Sequence, residues 1–137
     1  MMRAAFLAAA VMFPAAAFAC DGEMKAQSSV KSVTVAQLAK DNQSRVFDAN
    51  TKEFREKNGT IPGAVLLTSA LSYDVKELPA QKDASVVFYC VSAKCSASHQ
   101  AAERAVQAGY TNVSVMPDGL LGWKAAGQKT AALKPQS

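Results

Sequence analysis

The chain of 137 residues is half hydrophobic and carries 15 Lys and Arg against 11 Asp and Glu, a formal charge of +4. That length supports one domain with a sizeable core, and so mild a positive balance, with no basic stripe interleaved with aromatics, argues against a nucleic-acid surface. There is no internal repeat, no low-complexity segment and no Gly-rich phosphate fingerprint.

Residues 1–19 hold one early charge, Arg3, then an apolar run to Phe18 and an Ala17-Phe18-Ala19 site ahead of the polar Cys20-Asp21-Gly22-Glu23. This is the layout of a secretory signal peptide cleaved after Ala19. The run is shorter than the ~20 residues needed to span a bilayer and is interrupted by Pro14, which weighs against a membrane anchor. Export to the periplasm is therefore expected. Cys20 would then open the mature chain, so a lipoprotein anchored through Cys20 is the alternative and the one route to a membrane; Ala17 stands where lipoproteins usually have leucine. A polar linker is expected over 20–31, a domain over 32–127, and a frayed polar tail over 128–137.

Within the domain, 33–35 reads as a short extended segment leading into helically spaced apolar residues at 36–40. A strand at 46–48 precedes a charged helix at 52–57, which Thr51 can cap. Asn58-Gly59 turns the chain toward a strand at 64–67, with Pro62 at its entrance because it lacks a ladder donor. A helix over 69–78 is expected to close at Pro79. The apolar run 86–89 is too short for a helix and reads as a buried parallel strand. An Ala-rich helix over 97–108 ends at Gly109, a strand follows at 113–116, and a last helix at 120–126. The alternation predicts an α/β domain with a mostly parallel sheet.

Cys90 falls where the strand 86–89 ends and the Ala-rich helix begins, the edge of an α/β sheet where ligands bind. Unpaired N–H groups of the loop and first helical turn, with the helix dipole, favour an anion there. Cysteine pKa values in such settings fall to roughly 3.5–7.5, so Cys90 is a candidate nucleophile; the plainer alternative is a small buried apolar residue. In an oxidising compartment Cys90 and Cys95 also become a candidate disulfide or reversible dithiol.

Several landmarks resemble the rhodanese-like domains. Val46-Phe47-Asp48, Glu53-Phe54 and Gly59-Thr60-Ile61-Pro62-Gly63-Ala64 match the family's aspartate, helix and His-Ile-Pro-Gly-Ala block. Tyr89-Cys90 matches the strand end and nucleophile, and Gly109-Tyr110, Asn112-Val113 and Asp118-Gly119 with Gly122-Trp123 match the closing strand and Gly-Trp block. The resemblance implies a five-stranded, mostly parallel sheet with helices on both faces. It also implies that Cys90 carries sulfane sulfur as a persulfide cradled by the amides of Val91, Ser92, Ala93, Lys94, Cys95 and Ser96. No cofactor is implied; the partners are a small sulfur donor and a thiol acceptor, with a thiol reductase called for only if a second thiol resolves Cys90. Gly63, Gly122 and Trp123 read as structural positions.

The chain departs from the family at three places. Cys95 stands where active members commonly carry arginine, Asn50 where many carry another, and Thr60 replaces the histidine. Lys94 is the remaining cation for a thiosulfate-like donor. Cysteine phosphatases and arsenate reductases place arginine six residues after the nucleophile, where this chain has Ser96, so phosphoryl chemistry has no clamp. Three readings of Cys95 stay open: a resolving thiol that attacks oxidised or persulfidated Cys90, half of a static disulfide, or an inert loop residue. A soft-metal set of Cys90, Cys95 and His99 is a further alternative, since 95 and 99 share a helix face. The expected function is an exported sulfurtransferase; the alternative is a non-catalytic module that binds a partner or a soft metal.

Overall fold

The computed structural model describes residues 29–133. The expected leader over 1–19, Cys20 and the last four residues of the tail lie outside them.

Five strands, β1 (Lys31–Ser32), β2 (Arg45–Asp48), β3 (Val65–Leu66), β4 (Val86–Tyr89) and β5 (Val113–Met116), form one sheet in the order β1-β5-β4-β2-β3. Every pairing is parallel. The most apolar strand, Val-Val-Phe-Tyr, takes the centre, where both faces are covered, and all four of its residues are buried. Its side chains alternate. Val86, Phe88 and then Cys90 join one core with Phe47, Tyr73 and the alanines of α3 (Ala97–Gln107), whereas Val87 and Tyr89 join the other. Ala101, Ala102 and Ala105 have no bulk to hold α3 away from the sheet. The opposite face is covered by Val35 and Leu38 of α1 (Val35–Leu38) and by Leu120 and Trp123 of α4 (Gly119–Ala125). With α2 (Lys52–Asn58) this gives the expected α/β architecture. Among the described residues no helix is long and apolar enough to cross a membrane.

Three expectations are corrected. The sheet starts earlier than expected: β1 is Lys31–Ser32, so the end of the expected linker belongs to it. The chain leaves the sheet because Thr34 caps α1: its hydroxyl accepts from Gln37 N–H and its own N–H donates to Gln37 Oε1 at 2.9 Å. The helix expected over 69–78 is a turn and a single 3-10 turn at Val75–Glu77. Here local side chains outcompete the helix: Ser69 Oγ accepts from Leu71 and Ser72 N–H, and Asp74 Oδ1 accepts from Lys76 N–H. The tail is tied down through its described part. Trp123 Nε1 donates to Lys129 O at 2.7 Å, and Thr60 and Ala131 exchange both backbone hydrogen bonds. Polar side chains at 128–130 concealed a backbone that finds partners.

Tyr73 is fully buried beside Phe88, with its hydroxyl donating to Ala101 O at 2.8 Å. Burial pushes its phenol up to about 12. A folded-state value above the unfolded one means that the contribution is intact below pH ~10 and is lost as pH rises toward the folded value. Thermal melts between about pH 9 and pH 11 should therefore fall less steeply for Tyr73→Phe than for the wild type; parallel slopes would contradict the assignment.

Candidate active site

Cys90 follows β4 directly, at the middle of the sheet's C-terminal edge, and is 1% exposed. The loop that follows folds back on itself, with Cys95 N–H donating to Ser92 O at 3.0 Å. This brings the Cα atoms of Cys90 and Cys95 to 6.4 Å and joins the two sulfurs as a disulfide, inside the ~4.4–6.8 Å window that such a bridge needs. Among the described residues, the N–H groups of Val91, Ser92, Ala93, Lys94 and Ser96 have no protein acceptor. Ser96 precedes α3 without a side-chain cap, so the helix's first N–H groups also stay free.

The loop is held from the other side of the sheet. Leu120 and Leu121 N–H, in the first turn of α4, donate to Cys90 O at 2.8 Å and Val91 O at 3.0 Å. Such close approach requires Gly119: its φ is +64°, and a Cβ there would lie 2.5 Å from the Val91 carbonyl. The Asp-Gly turn is visible in sequence, but its contact with the cysteine loop is not. Ser98 was also missed. It is 1% exposed, and its Oγ lies 3.4 Å from Cys90 Sγ, as does Cys95 O. Its one sequence signal is a hydroxyl in the stripe of alanines that faces the strand end.

Beneath the site a buried ion pair fastens three strand ends together. Asp48 is wholly buried, with Arg55 Nε 3.3 Å from its Oδ1 and the Tyr89 hydroxyl donating to its Oδ2 at 2.6 Å. Arg55 Nη2 donates to the carbonyls of Asp48 at 2.6 Å and Leu67 at 2.9 Å, and Ile61 N–H donates to the Tyr89 hydroxyl at 3.0 Å. Burial, reinforced by the Asp48 carboxylate, pushes the Tyr89 phenol far up, so it remains a donor. The network carries no reacting group. It fixes the end of β4 from which Cys90 projects.

A cavity of about 560 Å³ opens beside the loop, lined by Asn50, Thr51, Thr68, Ser69, Cys95, Ser96 and Gln100 among others. Cys90 does not line it, and of the expected cradle residues only Cys95 and Ser96 do. Lys94, the cation expected for a thiosulfate-like donor, is exposed and outside the lining, where Lys52 stands instead, beside Glu53 in sequence. His99 is exposed on α3, and no cluster of three or more His, Cys, Asp or Glu able to hold a metal occurs among the described residues. The two cysteines face each other instead of a shared ion.

A family model for the rhodanese-like domain matches residues 32–126. The chain belongs to that family. No curated protein matches it. Among solved structures, it is similar to a rhodanese-related protein from Thermoplasma volcanium at 21% identity and TM-score 0.62, covering 74% of this chain and 97% of that one. It is also similar to thiosulfate sulfurtransferase from Pseudomonas aeruginosa, at 22% identity and TM-score 0.63, over 80% of this chain and 21% of that one. A protein of unknown function from Rhodopseudomonas palustris, described as a possible tyrosine phosphatase, aligns at 24% identity and TM-score 0.61, over 77% of this chain and 88% of that one. At these identities the likeness carries the fold. In this rhodanese-like domain the argument for activity rests on the chain's own residues.

Proposed function

We propose that Cys90 accepts a sulfane sulfur and that Cys95 resolves it. In the first step the Cys90 thiolate takes the sulfur from a small donor and becomes Cys90–S–S⁻, its charge met by the free loop amides and the Ser98 hydroxyl. In the second, the Cys95 thiol gives its proton to the outer sulfur as its own sulfur attacks Cys90 Sγ; the bond from Sγ to the outer sulfur breaks, hydrosulfide leaves and a Cys90–Cys95 disulfide forms. Two electrons from an external dithiol or a thiol reductase restore both thiols. The observation behind this reading is the placement of Cys95 within bonding reach of Cys90.

The donor we infer is not thiosulfate. Its oxyanions need a guanidinium clamp, and at the positions where the family carries arginine this chain has Asn50 and Cys95, both in the cavity wall, while the lysine of that wall, Lys52, is paired with Glu56 at 3.8 Å. The reading includes export: the leader-like segment over 1–19 would deliver the protein to the periplasm, where the oxidised pair needs a reductase, with the mature chain starting at Cys20. A lipid on Cys20 would add a membrane anchor; the intact mass of the exported protein distinguishes the two.

Turnover with a polysulfide donor should depend on added dithiol much more than on cyanide. Cyanide takes only the outer sulfur of a persulfide, whereas a dithiol reduces the disulfide as well. Steady-state rates with each acceptor check this, and equal rates would leave Cys95 without a resolving role.

A further inference from the structure

We propose that the cavity beside the loop admits a small cysteinyl peptide whose thiolate opens the disulfide at Cys95 rather than at Cys90. The inference rests on the reading of these two residues as a reversible pair. Its first support is access. Cys90 is 1% exposed and does not line the cavity, whereas Cys95 is half-buried and does. An incoming sulfur travelling through the cavity therefore meets Cys95 Sγ first.

The second support is the leaving group. Attack at Cys95 breaks the Cys90–Cys95 bond, makes a mixed disulfide on Cys95 and sends the electron pair to Cys90 Sγ. Cys90 Sγ sits 3.4 Å from the Ser98 hydroxyl, and the loop that follows Cys90 carries amides that have no protein acceptor. The better-stabilised thiolate leaves faster. A second equivalent of the same thiol then displaces the peptide from Cys95, giving the peptide's symmetric disulfide and a free Cys95 thiolate. The proposal reverses the roles of the loading step: the residue that accepts sulfur is the one that never bonds to the reductant.

The third support is the lining. It offers polar groups at Thr51, Ser69, Ser96 and Gln100 together with one cation, Lys52, and one carboxylate, Glu53, and the volume of about 560 Å³ is ample for a tripeptide. Asn50 stands in the same wall, 7% exposed, with neither Oδ1 nor Nδ2 hydrogen-bonded. A buried amide with no partner calls for an explanation. A peptide group supplies what both atoms lack, one donor and one acceptor side by side. 2-Mercaptoethanol, with a single hydroxyl, does not offer that side-by-side pair.

The test starts from full-length protein whose pair has been oxidised with diamide. Reduced glutathione and 2-mercaptoethanol are added separately, each reaction is quenched by alkylation, and every cysteine peptide is mapped by mass. Glutathione is expected on Cys95 with the alkyl group on Cys90. Asn50→Leu is expected to slow reduction by glutathione about tenfold, with little effect on 2-mercaptoethanol. Replacing an unpartnered buried amide by an apolar isostere should preserve the fold, which a thermal melt checks. Glutathione found on Cys90, or an Asn50→Leu effect equal for both thiols, would overturn the inference and leave sulfur transfer through Cys90 standing. If diamide produces no Cys90–Cys95 bond, both readings fall.

Discussion

Cys90→Ser is expected to abolish sulfur loading altogether, the largest functional effect of any single change in this chain. A serine hydroxyl forms no persulfide, and Cys95 is a poor substitute because it faces the open cavity, where external thiols would strip a sulfane sulfur from it. The loss should come without unfolding. The disulfide closes a loop of only five residues in sequence, for which the chain-entropy model gives at most about 2 kcal/mol. Peptide mapping after exposure to polysulfide, together with a thermal melt, separates the two effects. Comparable loading on Cys95 in the variant would show that the nucleophile was misassigned.

The largest structural effect should come from Arg55→Ala. Asp48 has no exposed surface, so removing its cation leaves a buried carboxylate unpaired, at a cost of about 3–5 kcal/mol. The carbonyls of Asp48 and Leu67 lose a donor in the same step. Against a total of about 5–15 kcal/mol for a domain, this is a large fraction, and a fall in the melting temperature of more than about 10 °C is expected. Arg55→Lys should recover part of it, since an ammonium can approach the carboxylate but cannot span both carbonyls as the guanidinium does. A change of only a few tenths of a kcal/mol in urea denaturation would mean that the pair behaves like a surface contact.

What was legible in the sequence was whatever is written in adjacent residues. The run Val86–Tyr89 announces a buried strand, Cys90 marks its end, and the small residues after 97 announce a helix that lies close to the sheet. Asp48 was found through its place in a family block. Arg55, Ser98 and Gly119 were not found as site residues, because each acts across a distance that no local pattern encodes. Arg55 reaches carbonyls of two strands, Ser98 reaches back to the strand end, and Gly119 presses on a loop from the far face. The region 69–78 misled for the opposite reason. Pro79 suggested a helix closing there, but Ser69 and Asp74 offered the backbone nearer partners. Asn50 was noticed only as a missing arginine; that its amide is buried without a partner is a fact of packing.

The central claim is that Cys95 discharges what Cys90 accepts. It is tested most directly by loading reduced wild type and Cys95→Ser with the same polysulfide pulse and following the Cys90 persulfide over time by alkylation and mass. The account predicts a short-lived persulfide in the wild type that disappears as hydrosulfide and the Cys90–Cys95 disulfide accumulate together, and a long-lived one in Cys95→Ser with no hydrosulfide released. Equal lifetimes in the two proteins would contradict it and reduce Cys95 to a replacement for the family's arginine.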